Sequence, residues 1–151
     1  MSVAFRRESD EEHLEPKFEL PIPPGPNFVT PGGLALIEGR VTAIEVEIAA
    51  TSEEERLKAL KRDLRYWRNR QSTAQPAPPP RDGVIGIGST VHFRLNGQQK
   101  TMTITGYDEA DPAEQRIAFS SPLARALLGA SAGETVDFAD EEDAIEINAI
   151  D

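Results

Sequence analysis

Cysteine is absent from this chain, which excludes disulfides and thiolate metal sites. Histidine is nearly so: His13 and His92 lie far apart, with no zinc-like spacing. The sequence therefore predicts no metal site and no cofactor. No apolar run approaches the roughly 20 residues of a membrane span. The opening residues, Met1 to Arg7, lead into acid rather than an apolar core, unlike a secretory signal. These absences predict a cytoplasmic protein with no membrane partner. A nucleophile–base pair and a phosphate-binding loop are also missing, so no stand-alone enzyme is expected.

What is present is acid, unevenly spread. The net charge is −10. Residues 1–30 sum to −3, residues 31–82 to +1 and residues 83–151 to −8. The last part would repel free nucleic acid and suits a partner with a basic surface, or serves solubility alone.

Pro16, Pro21, Pro23, Pro24 and Pro26 forbid a regular helix near the start. Residues 1–29 read as an extended arm, either disordered or docked through Phe18, Leu20, Ile22 and Phe28. Thr30-Pro31 then opens a helix as cap and first residue. Leu34, Ile37, Val41, Ile44 and Ile48 form its stripe at spacings of three and four, while Gly32, Gly33 and Gly39 weaken it. Ser52 and Glu55 match a capping box, and Leu57, Leu60, Leu64 and Trp67 carry a second stripe. The two predict an antiparallel helical hairpin over 30–74, coiled-coil in type, each arm roughly 27–30 Å long. A Pro-rich linker follows over 75–83.

From Val84 the pattern alternates. Strands are expected at Thr90–Leu95, Lys100–Tyr107, Arg116–Phe119, Thr135–Phe138 and Ala144–Ile150, with Asn96-Gly97 as a hairpin turn. Ser121 caps a short helix with Pro122 at its first position. Leu123, Leu127 and Leu128 share a face, and Gly129 ends the helix in a left-handed turn. The fold class is α+β: the hairpin, then a small antiparallel sheet over 84–151 crossed by one short helix.

Several stretches, in one order, resemble the bacterial Gre transcript-cleavage factors, GreA and GreB. They are Gly106-Tyr107-Asp108-Glu109, Ile117 through Gly129, Gly133-Glu134 and Asn148-Ala149-Ile150. Asn27 to Pro31 and Arg65-Tyr66-Trp67 resemble the start and the returning arm of the Gre hairpin, somewhat more GreB-like. The likeness covers most of residues 27–151. It implies an FKBP-like C-terminal domain that holds the rim of the secondary channel of bacterial RNA polymerase. The contact residues it implies are Ser121, Pro122, Leu123, Ala124, Arg125, Ala126, Asp108 and Glu109. It also implies a monomer whose hairpin enters that channel. In the family, acidic tip residues help bind a second Mg²⁺ that drives RNA cleavage.

The tip is where this chain departs from the family. Between the stripes stands only Ala49-Ala50-Thr51-Ser52-Glu53-Glu54-Glu55, and the hairpin is several turns short. Each missing turn removes about 5.4 Å of reach. Thr51, Ser52, Glu53, Glu54 and Glu55 form the expected tip. Their carboxylates either suit the positive end of the second helix or act as a substitute metal-binding tip. Arg56, Lys58, Lys61, Arg62, Arg65, Arg68 and Arg70 make the second helix basic. Acid dilution and only Tyr66 and Trp67 for stacking predict weak or no binding of free nucleic acid. The expectation is a polymerase-binding elongation regulator without cleavage. The alternatives are a true cleavage factor using Glu53–Glu55, or an adaptor for another protein.

Overall fold

The computed structural model describes residues 19–151. Of the residues expected to dock the arm, Phe18 lies outside the described residues. The elements in order are β1 (Asn27–Val29), α1 (Pro31–Ala49), α2 (Glu54–Thr73), β2 (Ala74–Pro76), β3 (Thr90–Leu95), β4 (Gln98–Thr105), β5 (Arg116–Ala118), α3 (Pro122–Leu127), β6 (Thr135–Phe138) and β7 (Glu141–Ile150). A short 3₁₀ turn, Pro112–Glu114, precedes β5. The chain divides into two compact units. One contains 19–25 with Ile37–Thr73, the other Pro26–Leu36 with Ala74–Asp151. No described helix is long and apolar enough to cross a membrane.

In the first unit the apolar stripes decide which faces are covered. Ile37, Val41, Leu60 and Leu64 are buried, while Ile44, Ile48, Leu57 and Trp67 are half-buried. Residues 50–53 reverse the chain, with the Thr51 hydroxyl donating to Glu47 O at 2.6 Å. Polar contacts join the helices: Arg56 to Glu47 at 2.6 Å and Arg68 to Glu45 at 2.6 Å. The Arg40 guanidinium lies 5.6 Å from the Trp67 ring centroid, within cation–π range. Helix α2 begins at Glu54, with Leu57 N–H donating to Glu53 O at 3.0 Å. The cap position is therefore Glu53, one residue beyond the expected Ser52.

In the second unit alternation builds the core. Val91 and Phe93 of β3, Ile104 of β4, and Ile145 and Ile147 of β7 are wholly buried or nearly so. They pack with Ile85, Ile117, Ala124, Leu127 and Ala130. Asn96 and Gly97 take φ of +51° and +81°, the paired left-handed values of the expected hairpin turn. The sheet order is β5-β4-β3-β7-β6.

Three expectations need correction here. The sheet is mixed rather than antiparallel, because β5 pairs parallel to β4: residues 106–115 carry the chain back before it re-enters. The arm and linker each contribute a strand, since β1 and β2 pair in parallel with Phe28 opposite Gln75 and Val29 opposite Pro76. Ala77 N–H extends that ladder to Val29 O at 2.9 Å. Pro76 is tolerated because β2 forms one edge of a two-stranded sheet. The breaks expected after 29, 74 and 83 therefore move. Of the described residues expected to dock the arm, Phe28 does so, with its ring centroid 5.5 Å from that of Phe119, edge to face. Leu20 and Ile22 stay exposed.

Candidate functional site

The short helix α3 is built as its residues dictate. Ser121 is extended, and its Oγ accepts from Ala124 N–H at 3.3 Å. Pro122 occupies the first turn, where an amide would have no helical partner. Gly129 takes φ of +88° and its N–H donates to Ile85 O at 2.9 Å, while Ile85 N–H donates to Ala130 O at 2.9 Å. The helix is thus tied at both ends. Leu127 and Ala124 are fully buried beneath it, Ser121, Leu123 and Ala126 are half-buried, and Pro122 and Arg125 face solvent. Ala124 is accordingly a core residue and leaves the expected contact set. Its methyl has no accessible surface to offer a partner.

Beside this helix stands the loop Gly106–Glu109. Phe119 N–H donates to Thr105 O at 2.9 Å, which brings the lead-in to α3 against the start of the loop. Thr105 is buried, and its hydroxyl donates to Gly106 O at 2.9 Å. Only glycine fits at 106: a Cβ there would meet Phe28 O at 2.5 Å. Tyr107 is half exposed and Asp108 half-buried.

Glu109 is half-buried and engaged within the chain. Its Oε1 accepts from the Thr30 hydroxyl at 2.5 Å, and Thr30 Oγ1 in turn accepts from Gly33 N–H at 3.0 Å. The carboxylate lies over the first turn of α1, where the positive helix end favours it. Gly32 and Gly33 leave the space. A Cβ on Gly33 would stand 2.9 Å from Glu109 Oε1, and one on Gly32 3.3 Å from Oε2. The two glycines that weaken the helix by propensity thus admit its capping carboxylate. Thr30 was legible as a cap from sequence. Glu109, distant in the chain, gave no local signal of this partnership.

At the other end of α1, the expected tip residues Ser52, Glu53, Glu54 and Glu55 are exposed, and Thr51 is half-buried. Glu54 and Glu55 occupy the first turn of α2, and Glu55 lies 3.8 Å from Lys58. Among the described residues, no group of three or more His, Asp or Glu is placed to hold a metal ion. Sequence reasoning also missed Glu19, which pairs with Arg65 of α2.

Residues 80–151 match the family described as "Transcription elongation factor, GreA/GreB, C-term". Transcription elongation factor GreA of Listeria monocytogenes serovar 1/2a is 36% identical over 104 residues, covering 68% of this chain and 52% of the relative. GreA of Thermomicrobium roseum is 48% identical over 60 residues, 38% of each. The C-terminal part of the chain, residues 80–151, belongs to the GreA/GreB family. The chain spans about half or less of the length of the curated relatives it matches. Among solved structures, GreA factor homolog 1 (Gfh1) of Thermus thermophilus is similar at 18% identity and a TM-score of 0.39, covering 84% of this chain and 99% of that one. A GreA/GreB factor from Nitrosomonas europaea gives 16% identity and a TM-score of 0.39, covering 84% and 98%. The family match takes in both α3 and the Gly106–Glu109 loop.

Proposed function

We propose that the chain binds bacterial RNA polymerase at the rim of the secondary channel and regulates elongation without cutting RNA. The C-terminal unit, FKBP-like in this reading, is the grip. Helix α3 presents Pro122 and Arg125 outward, shouldered by Ser121, Leu123 and Ala126, with Asp108 on the neighbouring loop. The coiled-coil pair α1 and α2 enters the channel. At 19 residues, α1 is about 28 Å long. The protein works as a cytoplasmic monomer with no cofactor of its own.

The observation that carries this reading is the rigid mounting of α3. Its cap, its two buried residues and its reciprocal backbone bonds to Ile85 fix an exposed arginine on a well-packed base. A helix backbone fixed in this way loses little entropy on binding. The absence of cleavage rests on the tip. Glu54 and Glu55 already serve the first turn of α2, and a carboxylate short of the reacting atoms contributes nothing.

The test is capture of core polymerase from the same source by the full chain and by Arg125→Ala. The variant is expected to lose about tenfold in affinity, on the scale of a buried interfacial arginine. A folded Arg125→Ala protein that binds as well as the parent would overturn the grip.

A further inference from the structure

The Pro-rich stretch after α2 plays no part in the grip. It holds Pro76, Pro78, Pro79 and Pro80. Proline fixes its own φ at about −65°, and the residue before a proline is kept out of the helical region. Gln75 to Pro80 are therefore held extended, on a left-handed polyproline II path of about three residues per turn.

That period sorts the side chains onto three edges. Ala77 and Pro80 share one, and it is the edge the second unit holds. Ala77 is half-buried, and its N–H donates to Val29 O at 2.9 Å. Pro80 lies against Gly86, where an added Cβ would stand 3.1 Å from Pro80 Cβ. Pro76 and Pro79 share the second edge, and Gln75, Pro78 and Arg81 the third. All five are exposed. The chain turns directly afterwards, with Val84 N–H donating to Arg81 O at 3.0 Å.

Residues 75–81 thus form a fixed ridge with two edges in solvent. The carbonyls of Pro78, Pro79 and Pro80 accept no backbone hydrogen bond among the described residues. Arg81 is the only charged residue from Ala74 to Arg81, and it makes no ion pair among the described residues. Exposed prolines at this spacing fit a groove of aromatic rings, whose polar tips donate to the open carbonyls. Arg81, two residues past Pro79, fits a carboxylate at the end of that groove.

We propose that Gln75–Arg81 is a docking ridge for a second protein partner, one with an aromatic-lined groove closed by a carboxylate. The partner takes the two solvent edges and leaves the Ala77–Pro80 edge on this chain. Both ends of the ridge are already anchored, so binding costs little chain entropy. The contact uses no residue of α3 or of the Gly106–Glu109 loop, so it stands or falls independently of the grip.

The test titrates the full chain into an isotope-labelled SH3 module that prefers the Pro-x-x-Pro-x-Arg spacing, with NMR shifts as the readout. Saturable shifts confined to the module's aromatic groove are expected. Arg81→Gln and Pro79→Ala should each weaken binding about tenfold, the scale of one charge-assisted bond or one filled pocket. Pro80→Ala, on the anchored edge, should change it by less than about twofold. Arg81→Gln alters only an exposed side chain, so it decides the matter even if a proline variant unfolds. No saturable shift at about 1 mM chain overturns the proposal. So does parental binding by Arg81→Gln, or a folded Pro80→Ala chain that loses as much as Pro79→Ala.

Discussion

Substituting Gly106 by alanine tests how the second unit holds its first strand. The added Cβ would stand 2.5 Å from Phe28 O, 3.4 Å from Val29 Cα and 3.6 Å from Phe28 C. The obstacle is backbone, which cannot swing aside as a side-chain tip can. Restoring a 3.4 Å contact requires β1 to retreat by about 0.9 Å. That strand is held by pairing to β2, by Ala77 N–H on Val29 O, and by the buried Asn27 and Val29. Overpacking of this kind costs about 1–3 kcal/mol. For a protein of this length the loss corresponds to about 3–10 °C in Tm. Gly39→Ala is the matched control. A Cβ at Gly39 would meet nothing within 4 Å, and the residue lies inside α1. That change should stabilise by about 0.5–1 kcal/mol. Calorimetry gives both shifts, and hydrogen exchange at Ala77 locates the damage. Gly106→Ala with parental Tm and parental Ala77 protection would refute the reasoning.

Thr30→Ala removes both the α1 cap and the hydroxyl that Glu109 accepts from; it should cost about 1 kcal/mol in denaturant unfolding. Ser121→Ala should lower stability by a similar amount, about 1 kcal/mol, and loosen Arg125, weakening capture of polymerase as well as lowering Tm. The Glu19 carboxyl is lowered in the folded chain, so its pairing with Arg65 stabilises above the ordinary carboxylate pKa of 4.5 and is lost as pH falls through the lowered value. An NMR titration should give the Glu19 carboxyl a lower midpoint in the parent than in Arg65→Gln, and equal midpoints would refute the pairing.

What could be read from the sequence was local. The Ser121-Pro122 start and Gly129 end of α3 are set by neighbours within a turn, as are the Asn96-Gly97 hairpin and the stripe from Leu34 to Ile48. What escaped was set by residues far apart in the chain. Three residues ending in Pro76 carry no period, so β2 was legible only as linker. Strand direction is not written in a strand, so the parallel entry of β5 beside β4 was hidden. Gly32 and Gly33 read as helix weakness because the carboxylate they admit, Glu109, comes from 79 residues after Thr30. The candidate grip was readable through its ordered motifs, yet which of its residues face outward was not. Ala124 is spelled like a contact and buried like a core residue.

The most direct test is transcript cleavage on backtracked polymerase from the same source, at protein concentrations where capture shows the enzyme saturated. The account predicts full occupancy with RNA cut no faster than without the protein. Stimulated cleavage that vanishes when Glu53, Glu54 and Glu55 are changed to glutamine would contradict it.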